Sequence, residues 1–226
     1  MPIIIIPSFS LDGCVDKPNG PQLVDIRARV RIRMAAHATD TFLTDANINK
    51  TINIALQEIT MERDWPWLGT CANYTTVAGT ENYALPDDFI RADDLTETDT
   101  GQPIAKRTIR ELRQFVSGHA GIPRVFAIKG EAIHLGPTPD RAYNFILDYY
   151  RSEPLLINDA DRPYIPELYV DGLVEYTAYL LFRATREVDR TNECLTAYKA
   201  WVERVQDNNN QSKAPIRVSV RPGSEF

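Results

Sequence analysis

FLTDANINKTINIALQEITMERDWPWL, residues 42–68, reads as one amphipathic helix with a start signal and a hard stop. Thr44 stands where an N-cap belongs. Asp45 and Asn47 bring negative charge and acceptors to the free N–H groups of the first turn. Ile48, Ile52, Ala55, Leu56 and Ile59 recur at helical spacing and so share one face. Trp65-Pro66-Trp67 closes the stretch, because Pro66 has no N–H and disfavours helical geometry at Trp65. At least one of the two tryptophans is expected in the core, as a structural corner from which the chain leaves for a strand-rich segment.

Upstream, Pro21 to His37 has the pattern of a first helix, with Leu23, Ile26, Val30 and Met34 on one side. Arg27, Arg29, Arg31 and Arg33 form a basic series, read as a solvated face or as a contact for an acidic partner or phosphates. The short connection to Leu43 makes these two helices expected antiparallel neighbours. Residues 1–20, rich in Pro and Gly, read as an extended arm. Its Ile3–Ile6 run either adds to a sheet edge, here or in a neighbouring copy, or stays a partly ordered terminus.

Downstream the period changes. Residues 73–77, 81–85, 89–96 and 102–106 read as short strands between turn signals, and Thr108 to Val116 as a short helix. Lys129-Gly130-Glu131 joins a hairpin. Tyr143, Phe145, Leu147 and Tyr149 alternate in a strong strand ending at Arg151. Pro166 and Glu167 then open a third long helix, apolar on much of its circumference through Phe182. A fourth is expected from Asp189 to Gln206, with Cys194, Tyr198, Trp201, Val202 and Val205 buried. The expected fold class is α+β: a four-helix bundle core with an inserted small antiparallel β-subdomain and extended N- and C-terminal arms. Its boundaries are an arm at 1–20, a first helical pair at 21–69, a β-rich insert with one short helix at 70–151, a second helical pair at 152–209 and a tail at 210–226.

The chain has 226 residues and a formal net charge of −6, which excludes a whole-molecule basic footprint for nucleic acid. Cys14, Cys71 and Cys194 are odd in number and show no C-x-x-C. That disfavours a disulfide framework or zinc cluster and fits a reducing compartment. No apolar run is long enough for a signal core or a membrane span. His37, His119 and His134 are not at metal-ligand spacing, and no phosphate cradle or nucleophile elbow is present. Asp87-Asp88 and Asp93-Asp94 lie in an acidic stretch that ends at Asp99. They read as solvated turn carboxylates or, with further ligands, as a cation or acid–base site. No catalytic residue, metal site or cofactor is expected, so the residues point to a structural or interaction role.

The order of segments resembles a known family. Phe42 to Ile59, the Trp65–Trp67 corner, Tyr83 to Arg91 (YALPDDFIR), Ile133 to Asp140 and the Tyr-rich helix from Pro163 to Arg186 look like those of the head-to-tail (portal) adaptor, or connector, proteins of tailed bacteriophages. That resemblance implies a structural virion protein in a ring, usually dodecameric, of identical subunits. The ring docks under the portal protein, extends the DNA channel and seats a downstream neck or tail protein. Double-stranded DNA would pass without specific binding, and no membrane is involved. The implied location is the capsid–tail junction, with assembly in the host cytoplasm. The tail from Lys213 would bind the portal through Ile216, Arg217, Val218, Val220, Arg221 and Phe226. Asp87, Asp88, Asp93 and Asp94 would face the channel and repel phosphates. The alternatives are another neck or tail-completion protein, a ligand-binding module, or an enzyme with an acidic site.

Overall fold

In the computed structural model the described residues are 9–10, 18–34, 42–116 and 120–213. They form two compact units. One joins the described residues through Gln22 to Leu56–Pro166. The other joins Leu23–Ala55 to the described residues from Glu167 onward.

The second unit is helical. α1 (Leu23–Arg33) buries Leu23, Ile26 and Val30. α2 (Asp45–Glu62) begins at the expected cap, where Thr44 Oγ1 accepts the Asn47 N–H at 3.3 Å. Ile48, Ile52, Ala55, Leu56 and Ile59 are all buried. A later pair of helices, α4 (Val170–Thr185) and α5 (Val188–Lys213), completes the set. α4 packs against α5 and α1.

These helices do not make the expected four-helix bundle. The boundary between the units falls inside α2, after Ala55, so the helix is shared between them. A helix shared between two units is not a full-length member of one bundle. α2 is tied to α1 by polar contacts of its first turns, Arg27 and Arg31 with Asp45 and Arg27 with Asn49.

The β-rich unit is neither small nor purely antiparallel. α2 ends before the Trp-Pro-Trp corner, and Pro66–Leu68 forms a single 3₁₀ turn. There follow β2 (Gly69–Thr75), β3 (Asn82–Ala84), β4 (Phe89–Glu97), β5 (Gln102–Pro103) and β6 (Ala105–Lys106). α3 (Ile109–Val116), β7 (Val125–Lys129), β8 (Ala132–Gly136) and β9 (Asn144–Arg151) complete it. Phe9–Ser10 supplies β1, which pairs with Tyr74 and Asn73 of β2. Ile3–Ile6 lies outside the described residues.

One sheet runs β1-β2-β9-β4-β5 and the other β3-β8-β7-β6, where β6 and β7 are parallel. The sheets share one core of Tyr74, Leu95, Phe126, Leu135, Phe145 and Leu147, among others. The alternation read in β9 places Phe145, Leu147 and Tyr149 inward. Residues of β7 divide the same way. Phe126 faces the sandwich, whereas Val125 and Ala127 meet Leu112 of α3 on the opposite side. α3 therefore forms an outer layer. It starts with a complete capping box, in which Thr108 Oγ1 accepts the Glu111 N–H and Glu111 accepts the Thr108 N–H.

Cys71 on β2 is disulfide-bonded, against the expectation of unpaired thiols. Cys194 is free and buried, and burial pushes its thiol up to about 12.

Candidate functional site

The Trp-Pro-Trp corner is a packed polar node. Trp65 is buried and donates its indole N–H to the Ile59 carbonyl at 2.6 Å. Trp67 stacks on it with ring centroids 5.0 Å apart and hydrogen-bonds the carboxylate of Glu153. The same carboxylate accepts the backbone N–H groups of Tyr164 at 2.6 Å and Ile165 at 3.0 Å. Arg151 is buried and lays its guanidinium 3.5 Å from the centroid of the Tyr164 ring. Burial raises Glu153 to about 7, although those donors and Arg151 pull the other way.

Beside the node, Arg162 donates to the Gly20 carbonyl at 2.7 Å, and Gly20 donates to Pro163 at 3.0 Å. A Cβ on Gly20 would lie 2.4 Å from the Ile165 carbonyl oxygen, so only glycine fits there. The node thus fastens the segment where the chain enters the β-rich unit to the segment where it leaves. Arg151 continues the inward alternation of β9, but neither its charge nor that of Glu153 signals burial in the sequence.

YALPDDFIR is a set of internal ties. Tyr83 is buried; its hydroxyl accepts the Val77 N–H at 2.9 Å and donates to the Thr80 carbonyl at 3.0 Å. Asp88 accepts the Tyr149 hydroxyl at 2.9 Å, and Phe89 stacks on the same ring. Arg91 pairs with Asp64 and lies over Tyr150. Asp87 is exposed beside a cleft of about 460 Å³ that is also lined by Leu85, Pro86, Phe89, Gly130 and Glu131.

Asp93 and Asp94 are not grouped with the Asp87-Asp88 pair. They project from the outer face of the five-stranded sheet, where Asp94 stands in register with Asp148. Asp148 is raised above the usual carboxylate range by burial and then by the Asp94 and Asp93 charges. The four acidic positions therefore split into an internal tie (Asp88), a cleft residue (Asp87) and an exposed strip (Asp93, Asp94) that Asp148 extends.

The arginines of α1 are all engaged within the helical unit. Arg27 and Arg31 pair with Asp45, and Arg29 with Glu167. Arg33 bridges Glu175 and Glu193 at 2.9 Å each. Sequence reading missed a second basic group. Lys106, Arg107, Arg110, Arg113 and Arg124 are all exposed around α3. Their signal is the run Lys-Arg-Thr-Ile-Arg-Glu-Leu-Arg, which the sequence reading divides between the end of a strand and a short helix.

Ile216, Arg217, Val218, Val220, Arg221 and Phe226 lie outside the described residues, as do His37 and His119. Burial lowers the pKa of the half-buried His134. Among the described residues no cluster of His, Cys, Asp or Glu is arranged to hold a metal ion. No described helix is long and apolar enough to cross a membrane.

A search of curated proteins returned no match. The family model described as SU10 adaptor protein matches residues 21–219, from the start of α1 past the end of α5. That span covers most of the 226 residues and includes both units, and it contains the Trp-Pro-Trp node and the YALPDDFIR ties. The chain belongs to the SU10 adaptor protein family.

Proposed function

We propose that this phage structural adaptor forms a ring of identical subunits that joins the portal to the tail or neck and extends the DNA channel. The observation that carries the reading is the family match across residues 21–219. The internal use of the motif residues supports it. Trp65, Trp67, Tyr83, Asp88 and Arg91 hold the fold together, so the work is left to surfaces that meet other proteins. The cavity between the sheets, lined by Tyr74, Tyr83 and Phe145 among others, has a volume of about 10 Å³, no more than one water needs. That cavity has no room for an organic ligand.

The segment from Lys213 to Phe226 meets the portal in this reading. Ile216, Val218 and Val220 alternate with Arg217 and Arg221, a pattern suited to strand or groove docking. Copies retained on purified portal rings are counted by native mass spectrometry, with the full chain and with Lys213–Phe226 deleted. The full chain loads many copies per portal and the truncated chain none. Undiminished loading of the truncated chain rules out the tail as the portal contact. Absence of loading by the full chain rules out the adaptor reading.

A further inference from the structure

The β-rich unit carries opposite charge on its two outer layers. On one side α3 covers the four-stranded sheet through Leu112, Val125 and Ala127. Its other face, with the flanking strand ends, exposes Arg107, Arg110, Arg113 and Arg124, while the ammonium of Lys106 donates to the Ala92 carbonyl of β4 at 3.3 Å. None of these makes an ion pair among the described residues, in contrast to the arginines of α1. Glu111 is the one carboxylate on α3, and it is held by Thr108 in the capping box. On the far side, beyond the shared core, the outer face of the five-stranded sheet presents Asp93, Asp94 and Asp148, likewise without a cation. Like charges directly opposite each other on neighbouring strands destabilise a sheet, and among the described residues no cation pairs with these three carboxylates; Arg91, two residues before Asp93, pairs with Asp64 instead.

We propose that the basic α3 face of one copy docks on the acidic outer face of the five-stranded sheet of the next, joining copies head to tail. Unlike patches on opposite layers make a heterologous contact, which repeats from copy to copy and closes into a ring when the rotation allows. Arg110 and Arg113 supply the charge that Asp94 and Asp148 lack. This gives Asp93 and Asp94 a subunit contact in place of the channel wall expected from the sequence. The contact deepens the ring reading above and rests on it for closure, but not for head-to-tail pairing itself.

Two variants of the full chain test it: Arg110→Glu/Arg113→Glu and Asp94→Lys/Asp148→Lys, with thermal melts confirming that both fold. Self-association is followed by sedimentation at low and high salt, and ring completion by native mass on portal rings. Each variant alone should associate more weakly by on the order of tenfold or more. An equimolar mixture should recover, because the intact acidic face of the first meets the intact basic face of the second. Variants that associate and complete rings as the wild type does overturn the contact and leave the adaptor reading standing. So does a mixture no better than its parts. Wild-type chains that pair in solution as described yet never load on a portal overturn the adaptor reading and leave the contact standing. If Arg110→Glu/Arg113→Glu keeps association but loses retention of duplex DNA, the patch belongs to DNA and the proposal is wrong.

Discussion

At Glu153 the fold holds a carboxylate where water cannot reach it and surrounds it with donors. Its folded pKa of about 7 stands above the ordinary 4.5, so the native state keeps a proton that the unfolded chain gives up. The sign follows from that difference. This group adds no penalty below about pH 4.5, and stability is lost as pH rises through the window up to about 7, a loss of roughly 3 kcal/mol if no other change compensates. Glu153→Gln keeps the volume and one acceptor but cannot ionise. Unfolding free energies across pH 4–8 should fall with pH in the wild type and fall clearly less in the variant; parallel curves would refute the assignment. Asp148 acts in the same direction and from the same first cause, burial, with crowding by Asp94 and Asp93 added. Asp148→Asn should raise the melting midpoint at neutral pH, with the gain disappearing as pH falls below the carboxylate range. A variant that melts below the wild type at neutral pH would show that the carboxylate is serving a contact within its own chain. Neither residue was legible from sequence. A carboxylate's pKa depends on what folding brings to it, and the partners of Glu153 come from Trp67 and from a loop centred on Tyr164.

The α4–α5 pair shows what an element owes to a single small residue. A Cβ on Gly172 would come within 2.2 Å of the Trp201 indole, so the two helices meet through that glycine. Trp201 is 3% exposed. Gly172→Ala should cost about 1–3 kcal/mol or more from overpacking, since a fused ring between helices has little room to yield. Trp201→Ala should cost roughly 3–5 kcal/mol. Because the two residues touch, the double variant should lose clearly less than the sum, and strict additivity in denaturant melts would show that they do not share the contact. At this scale the sequence was informative. The cap at Thr44, the core stripe of α2, the burial of Trp65 and the inward face of β9 follow from periodicity and turn chemistry. The start of β2 at Gly69 and the run of α5 to Lys213 did not. Asp207 to Ser212 has weak helix propensity, and propensity yields to a helix already under way.

For the whole molecule, the misreading lay in how the elements share cores. Four long amphipathic stretches suggested one bundle, but periodicity reports that a face is buried and not which core buries it. In α2 the division between the units falls between Ala55 and Leu56 with no break in the pattern. The charge balance hid its arrangement in the same way. A net charge of −6 reveals neither that the α1 arginines are neutralised within the helical unit nor that the α3 arginines and the β4–β9 carboxylates lie on opposite layers of the other. The family motifs were legible as an ordered set, yet they mark what holds the protein together and not where it meets its partners. The tail separates those two roles. The described core ends at Val205, and α5 reaches Lys213 with no buried apolar residue after that valine among the side chains described. Deleting Lys213–Phe226 therefore removes no known core contact, and the melting midpoint and circular-dichroism spectrum should match those of the full chain while loading on the portal is lost. A midpoint lowered by several degrees would instead place the tail in the core, where an alternating Ile216-Val218-Val220 edge would act as a strand of its own subunit.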